Sequence, residues 1–312
     1  MPLPSARRAF TLIELLVVVA IIGLLVGILL PSLAAARAQA RTAKCLSNLR
    51  VFGHGLAIYA NGHRDVLPPG RLPKIDDCNA WADIQGGRKY RPTFVAMMSA
   101  SVAAPPFDDP QACGNTIDLH GEPGGRQNYS FGVYVCPQAA ERTDERNGAY
   151  GYNYQFLGNS RLLEAADLTS FKNWPVISSR VRDAARTVAG GDCMGTAASF
   201  PTGERLDYEN NARDHERYGN EGFNLDPPRV DSAAGEMAGF DDSPQVRTAA
   251  DPRHRRRAMM LWLDGHAAGS TLEQLGYVVR RDGVVEMDAP EADNTLWTGA
   301  RTNEMWTPGW RP

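Results

Sequence analysis

The chain has 312 residues, 43% of them hydrophobic, and a formal charge of −3. That length suits one large domain or two, and the lack of a basic excess gives nucleic acid no general electrostatic hold as a partner. Thirty Gly and twenty-one Pro, about a sixth of the chain, point to many turns and long connections and speak against a helical bundle.

In chain order, residues 1–9 are short and polar, with Arg7 and Arg8, and lead straight into an apolar run over residues 10–30. As a helix its twenty-one residues reach about 31 Å, enough to cross the hydrocarbon of a bilayer. Glu14 is the only charge in that run. A carboxylate at the centre of a membrane helix costs about 2–3 kcal/mol and less near the interface, so it needs a partner. Cleavage between Ala9 and Phe10 would create one: an α-amino cation at Phe10, four residues before Glu14 on the same helical face. The pair can close within one helix or between subunits, Glu14 of one meeting the Phe10 amine of another and setting register. Gly23 and Gly27 form a G-x-x-x-G pair that lets membrane helices approach closely.

The run Arg-Arg-Ala9-Phe10-Thr-Leu-Ile-Glu14-Leu-Leu-Val-Val-Val-Ala-Ile-Ile-Gly23 resembles the prepilin N-terminal cleavage and methylation motif of type IV pilins and type II secretion pseudopilins. The resemblance implies processing by prepilin peptidase after Ala9, N-methylation of Phe10 and an assembly role for Glu14. Ala9 stands where the family usually has Gly. The implied partners are that peptidase, other pilin-like subunits through the N-terminal helix, and the lipid bilayer, with no nucleic acid and no cofactor. The implied place is the bacterial inner membrane, single-pass, with a periplasmic globular domain. Two other export routes compete. Ser5-Ala-Arg-Arg-Ala-Phe resembles a twin-arginine signal, and residues 33–40 offer small-residue sites to signal peptidase. Either would release a soluble protein, yet the length of the apolar run and its internal Glu suit a cleaved signal poorly. Arg37, Arg41, Lys44 and Arg50 follow the span and weaken a simple positive-inside reading.

Pro31 should kink the helix without stopping it. Beyond it Leu46, Leu49, Phe52, Leu56 and Tyr59 recur every three or four residues, which marks an amphipathic helix ending at Asn61-Gly62. Gly53 and Gly55 count against its last turns. The expected organisation is a cleaved leader (1–9), a transmembrane helix (10–30), an amphipathic continuation (31–62) and an extracytoplasmic globular domain (63–312). The expected fold is α+β and pilin-like, the long helix packed on a small antiparallel sheet with long loop insertions. Strands are expected at 129–135, 149–156, 186–191 and 258–263 and short helices at 93–102 and 161–171. Residues 202–250, polar and Gly-rich, read as a surface insertion. Trp297, Trp306 and Trp310 in the tail can anchor it on the domain.

Near the C-terminus an apolar run ends in Asp264-Gly265, a strong hairpin signal, with His266 beginning the return. His254, nine residues, then Asp264-Gly265 is similar to the H-x9-D-G motif of prepilin-type proteins of unknown function. Cys45 with Asn48-Leu49, Cys136-Pro137 and the run Tyr150-Gly-Tyr-Asn153 are similar to that family too. No metal is expected. The five cysteines lack a C-x-x-C pair, and a straight nine-residue strand would hold His254 about 30 Å from Asp264 and His266. On this reading Asp264 orders its turn and the histidines hydrogen-bond locally. In an exported domain up to two disulfides can form, with pairing undetermined. Some pseudopilins resembling this one carry calcium, but Asp241-Asp242 reads as solvated loop. The arginines of 253–257 read as solvated or touching phosphate headgroups or an acidic neighbour. No nucleophile elbow, phosphate loop or H-E-x-x-H occurs. The resemblance therefore implies a non-enzymatic structural subunit of a pseudopilus or type IV pilus-like assembly. The alternative is a membrane-anchored binding module that uses the prepilin export route without polymerising.

Overall fold

The computed structural model describes residues 12–70, 81–84, 87–90, 94–103, 132–139, 150–160, 172–173, 176–205, 224–229 and 248–303. The chain divides into two compact units, Met1–Arg41 and Thr42–Pro312. One helix, α1 (Leu12–Gly62), enters both and continues through Pro31.

In the first unit the large apolar side chains from Leu12 to Leu33 are exposed, as a helix surrounded by lipid requires. Among the described residues α1 is the one helix long and apolar enough to cross a membrane.

In the second unit α1 turns amphipathic and buries Cys45, Asn48, Leu49, Phe52, Leu56 and Ala60. Leu46 and Tyr59, expected on that face, are partly buried at its margins. The partner is a five-stranded antiparallel sheet in the order β3-β6-β8-β9, with β7 also pairing β6. Its strands are β3 (Tyr150–Tyr152), β6 (Val188–Gly195), β7 (Ala249–Ala250), β8 (Ala258–Trp262) and β9 (Ala267–Ser270). Period-two alternation sorts β8 between two cores. Met259 and Leu261 join Tyr150, Tyr152 and the α1 face, while Met260 and Trp262 join Val188, Leu275, Tyr277 and Trp297 on the other side. The other strands among the described residues form three two-stranded pairs: β1 (Trp81–Ile84) with β2 (Gly87–Tyr90), β4 (Asn159–Ser160) with β5 (Lys172–Asn173), and β10 (Val278–Val279) with β11 (Val285–Glu286). The fold is α+β, with a long N-terminal helix and an antiparallel sheet.

Several expectations are corrected. Residues 132–135, the described part of the strand expected at 129–135, form turns, and Asn48 on α1 takes up their carbonyls, donating to Gly132 at 2.9 Å and Val135 at 3.0 Å. The strand at 149–156 stops at Tyr152, where Asn153 leads into a one-turn helix, α3 (Tyr154–Leu157). Only the one-turn helix α2 (Phe94–Met97) and following turns occupy 94–103. Within 202–250, Asn224, Leu225, Asp226, Thr248, Ala249 and Ala250 are buried, so part of the supposed surface insertion is core. Trp297 is likewise buried, while 161–171, Asp241-Asp242, Trp306 and Trp310 lie outside the described residues.

Gly53 shows why glycine sits late in α1. A Cβ there would lie 2.7 Å from the Cα and 2.9 Å from the carbonyl oxygen of Gly265, in the β8–β9 turn. Both are backbone atoms that cannot swing aside. Gly53→Ala is therefore expected to lower stability by about 1–3 kcal/mol, although Ala is the better helix former by about 1 kcal/mol. Denaturant unfolding of the detergent-solubilised chain measures the sign, and a stabilised variant would refute the close approach.

Candidate metal centre

Four segments, far apart in sequence, deliver four ligand-type side chains to one buried point. α1 supplies Cys45, the 132–139 turns supply Cys136, β6 supplies Asp192, and the turn before β8 supplies His254. One ligand atom from each lies within 4.8 Å of all the others, and all four residues are buried. The closest approaches are Cys136 Sγ to His254 Nε2 at 3.2 Å, Cys45 Sγ to Asp192 Oδ1 at 3.5 Å, and His254 Nε2 to Asp192 Oδ2 at 3.5 Å.

Three of the four side chains are held from behind. The Tyr150 hydroxyl donates to Cys45 Sγ at 3.5 Å. Asp192 Oδ2 accepts the Met259 backbone N–H at 2.8 Å, so the carboxylate completes a bond that the sheet leaves to it. Thr42 Oγ1 lies 3.1 Å from His254 Nδ1, which orients the ring and leaves Nε2 facing the cluster. His254 itself sits in a two-residue hairpin turn. Its N–H donates to the Arg257 carbonyl at 3.1 Å and its carbonyl accepts from the Arg257 N–H at 3.0 Å, with Arg255 and Arg256 between them at φ 53° and 64°. Two positive φ values are the type I′ geometry that Asn-Gly normally fills. Backbone of this kind persists where surrounding structure imposes it.

The turn shortens the straight strand between His254 and the hairpin tip to β8, and His254 still meets neither Asp264 nor His266. The expectation of local hydrogen bonding fails for His254, which meets residues 118 and 212 positions away. Arg253, read as solvated, is buried instead: Nη2 donates to the Cys193 carbonyl at 2.6 Å, and Nε stands 3.0 Å from Asp251 and 3.9 Å from Asp192.

Burial pushes the Asp192 carboxyl up to about 7, against the pull of Arg253. The hydrogen bond from Cys45 holds Cys136 down to about 4, with His254 and Arg253 acting the same way against burial. Cys45 is driven the opposite way by its bond to Cys136, by burial and by Asp192. The two sulfurs therefore titrate as a pair, one drawn down and the other driven up. Cys45, Cys136 and Cys193 are all outside disulfides, and Cys78 and Cys113 lie outside the described residues.

The other residues singled out in sequence lie elsewhere. Asp264 Oδ1 accepts the His266 N–H at 3.0 Å and meets its ring nitrogen at 2.6 Å, both residues exposed, and Gly265 takes φ 92° in the turn. Neither Asp264 nor His266 joins His254. Glu14, Gly23 and Gly27 are on the exposed apolar part of α1, and Ala9 and Phe10 precede the described residues. Sequence reasoning missed Cys45, Cys136 and Asp192 as a group because no local spacing links them. One signal was present: a carboxylate inside an otherwise apolar strand, Val-Ala-Gly-Gly-Asp192-Cys-Met-Gly.

A long exposed apolar helix joined to an antiparallel-sheet unit describes a single-pass, membrane-anchored chain with a globular domain. The family profile described as the prokaryotic N-terminal methylation motif matches residues 4–30. That segment carries a prepilin-type N-terminal methylation motif, which supports a relation to type IV pilin-like proteins. No curated protein and no solved structure matches it.

Proposed function

We propose that the chain is a structural, non-enzymatic subunit, pseudopilin or pilin-like, of a type II secretion or type IV pilus-like assembly in the bacterial cell envelope. The observation that carries this reading is Glu14, the single charge in the apolar run, placed inside a methylation motif. Prepilin peptidase cuts after Ala9, Phe10 becomes the methylated N-terminus, and Glu14 of one subunit pairs with the Phe10 amine of a neighbour. Gly23 and Gly27 let the helices of neighbouring subunits come close. Residues 10–30 hold the subunit in the inner membrane and the globular domain faces the periplasm.

Mass spectrometry of membrane-extracted protein should find a chain beginning at N-methylated Phe10. A chain that keeps Met1, or begins near Ala40, overturns the reading. Glu14→Val should still be processed yet drop out of crosslinked multimers by an order of magnitude or more, since pairing a carboxylate in lipid is worth about 2–3 kcal/mol. Undiminished assembly of that variant would refute the role of Glu14.

A further inference from the structure

We propose that Cys45, Cys136, Asp192 and His254 bind one thiophilic divalent transition metal ion, zinc by its chemistry, as a closed structural site. This goes beyond the role in assembly and does not depend on it.

The distances favour this over a plain hydrogen-bond cluster. A tetrahedral zinc ion with bonds of about 2.0–2.3 Å to sulfur, nitrogen and oxygen sets adjacent ligand atoms about 3.3–3.8 Å apart. Cys136 Sγ and His254 Nε2 stand 3.2 Å apart, Cys45 and His254 reach the two oxygens of Asp192 at 3.5 Å each, and one ligand atom from every residue lies within 4.8 Å of the others. The ligand types agree as well, since two thiolates select zinc-like ions over magnesium or calcium, which take oxygen. The Thr42 contact to Nδ1 is the outer hydrogen bond that metal-bound imidazoles usually carry.

Charge closes the argument. Two thiolates, one carboxylate and a dication sum to one negative charge, and the buried Arg253 guanidinium, shared between Asp192 and Asp251, offsets part of it. Ligation releases the thiol proton to solvent. A disulfide between Cys45 and Cys136 would consume both sulfurs and leave a buried carboxylate and a buried imidazole with nothing to converge on. All four ligands are buried, so no coordination position faces a substrate and the ion acts as a staple. It joins the sheet-packed part of α1 to the 132–139 turns, to β6 and to the turn before β8.

The test uses the full chain, solubilised in detergent and purified without immobilised metal. Elemental analysis should find about one zinc ion per chain. After chelation and reloading with Co²⁺ alone, sulfur-to-cobalt charge-transfer absorption and the intense d–d bands of tetrahedral cobalt should appear. Cys136→Ser and Asp192→Asn should each lower metal affinity at least tenfold. Because the cobalt spectrum is read on the wild-type chain, a variant that fails to fold leaves the test intact. Three results overturn the proposal: no tetrahedral thiolate spectrum from the wild-type chain, full metal uptake by a folded Cys136→Ser variant, or a Cys45–Cys136 disulfide in alkylation mapping of freshly extracted protein.

Discussion

Replacing Asp192 with Ala is expected to lower the stability of the second unit by about 3–5 kcal/mol, measured with chelator present so that bound metal does not contribute. The carboxylate is fully buried and faces four groups at once. It accepts the Met259 N–H at 2.8 Å and meets Cys45 and His254 at 3.5 Å and Arg253 at 3.9 Å. Alanine leaves the Met259 N–H without that acceptor inside the sheet and takes one of two nearby carboxylates from a buried guanidinium. A buried donor left unmatched costs about 1–3 kcal/mol, and the altered ion pair adds to it. Asp192→Asn keeps an acceptor for Met259 and should cost less, about 1–3 kcal/mol, because it loses charge but little shape. Urea unfolding should show a lower midpoint with an unchanged slope for both. If the Ala variant unfolds within about 1 kcal/mol of the wild type, Asp192 does not organise the cluster.

The long helix was legible because a membrane and a sheet leave different marks on one strand of sequence: an unbroken apolar run, then apolar residues every three or four. Strand β8 and the first half of β6 were legible as apolar runs with turn residues beside them, and the Asp264-Gly265 hairpin by its turn chemistry. What could not be read follows from contacts between distant segments. Residues 132–135 carry Val133, Tyr134 and Val135 and look like a strand, but they form turns whose carbonyls are taken up by Asn48, more than eighty positions earlier. The path of His254 hinged on two arginines adopting left-handed backbone, which composition argues against, since most such turns carry Asn or Gly. With that turn unseen, His254 seemed stranded at the end of a straight strand, and the two cysteines and the aspartate that meet it had no visible partner. The buried part of residues 202–250 was hidden for a related reason. Asp226 looks like loop, yet its carboxylate takes both the N–H and the hydroxyl of Thr248 at 2.9 Å, which satisfies it in the core.

Trp297→Ala should destabilise the second unit by about 3–5 kcal/mol through the cavity it leaves. Trp297 is fully buried, lies edge-on to Tyr277 with ring centroids 5.6 Å apart, and donates its indole N–H to the Leu275 carbonyl at 2.8 Å. Its own carbonyl accepts from the Asn153 side chain at 3.0 Å, and the same Asn153 amide donates to the Val188 carbonyl at 2.8 Å. The neighbouring Leu296 carbonyl accepts the Val188 N–H at 2.8 Å. One residue of the C-terminal segment thus plugs the second core and also locks that segment onto the start of β6. Trp297→Phe separates the two effects: it keeps most of the apolar area and loses the indole hydrogen bond, so about 1–2 kcal/mol should go. Limited proteolysis reads the lock directly. Cleavage between residues 289 and 298 should accelerate strongly in the Ala variant and little in the Phe variant, because backbone held in these bonds opens only with the core beneath it. Equal cleavage rates in both variants would mean that the segment is held by its backbone bonds alone and that the indole serves only as filling.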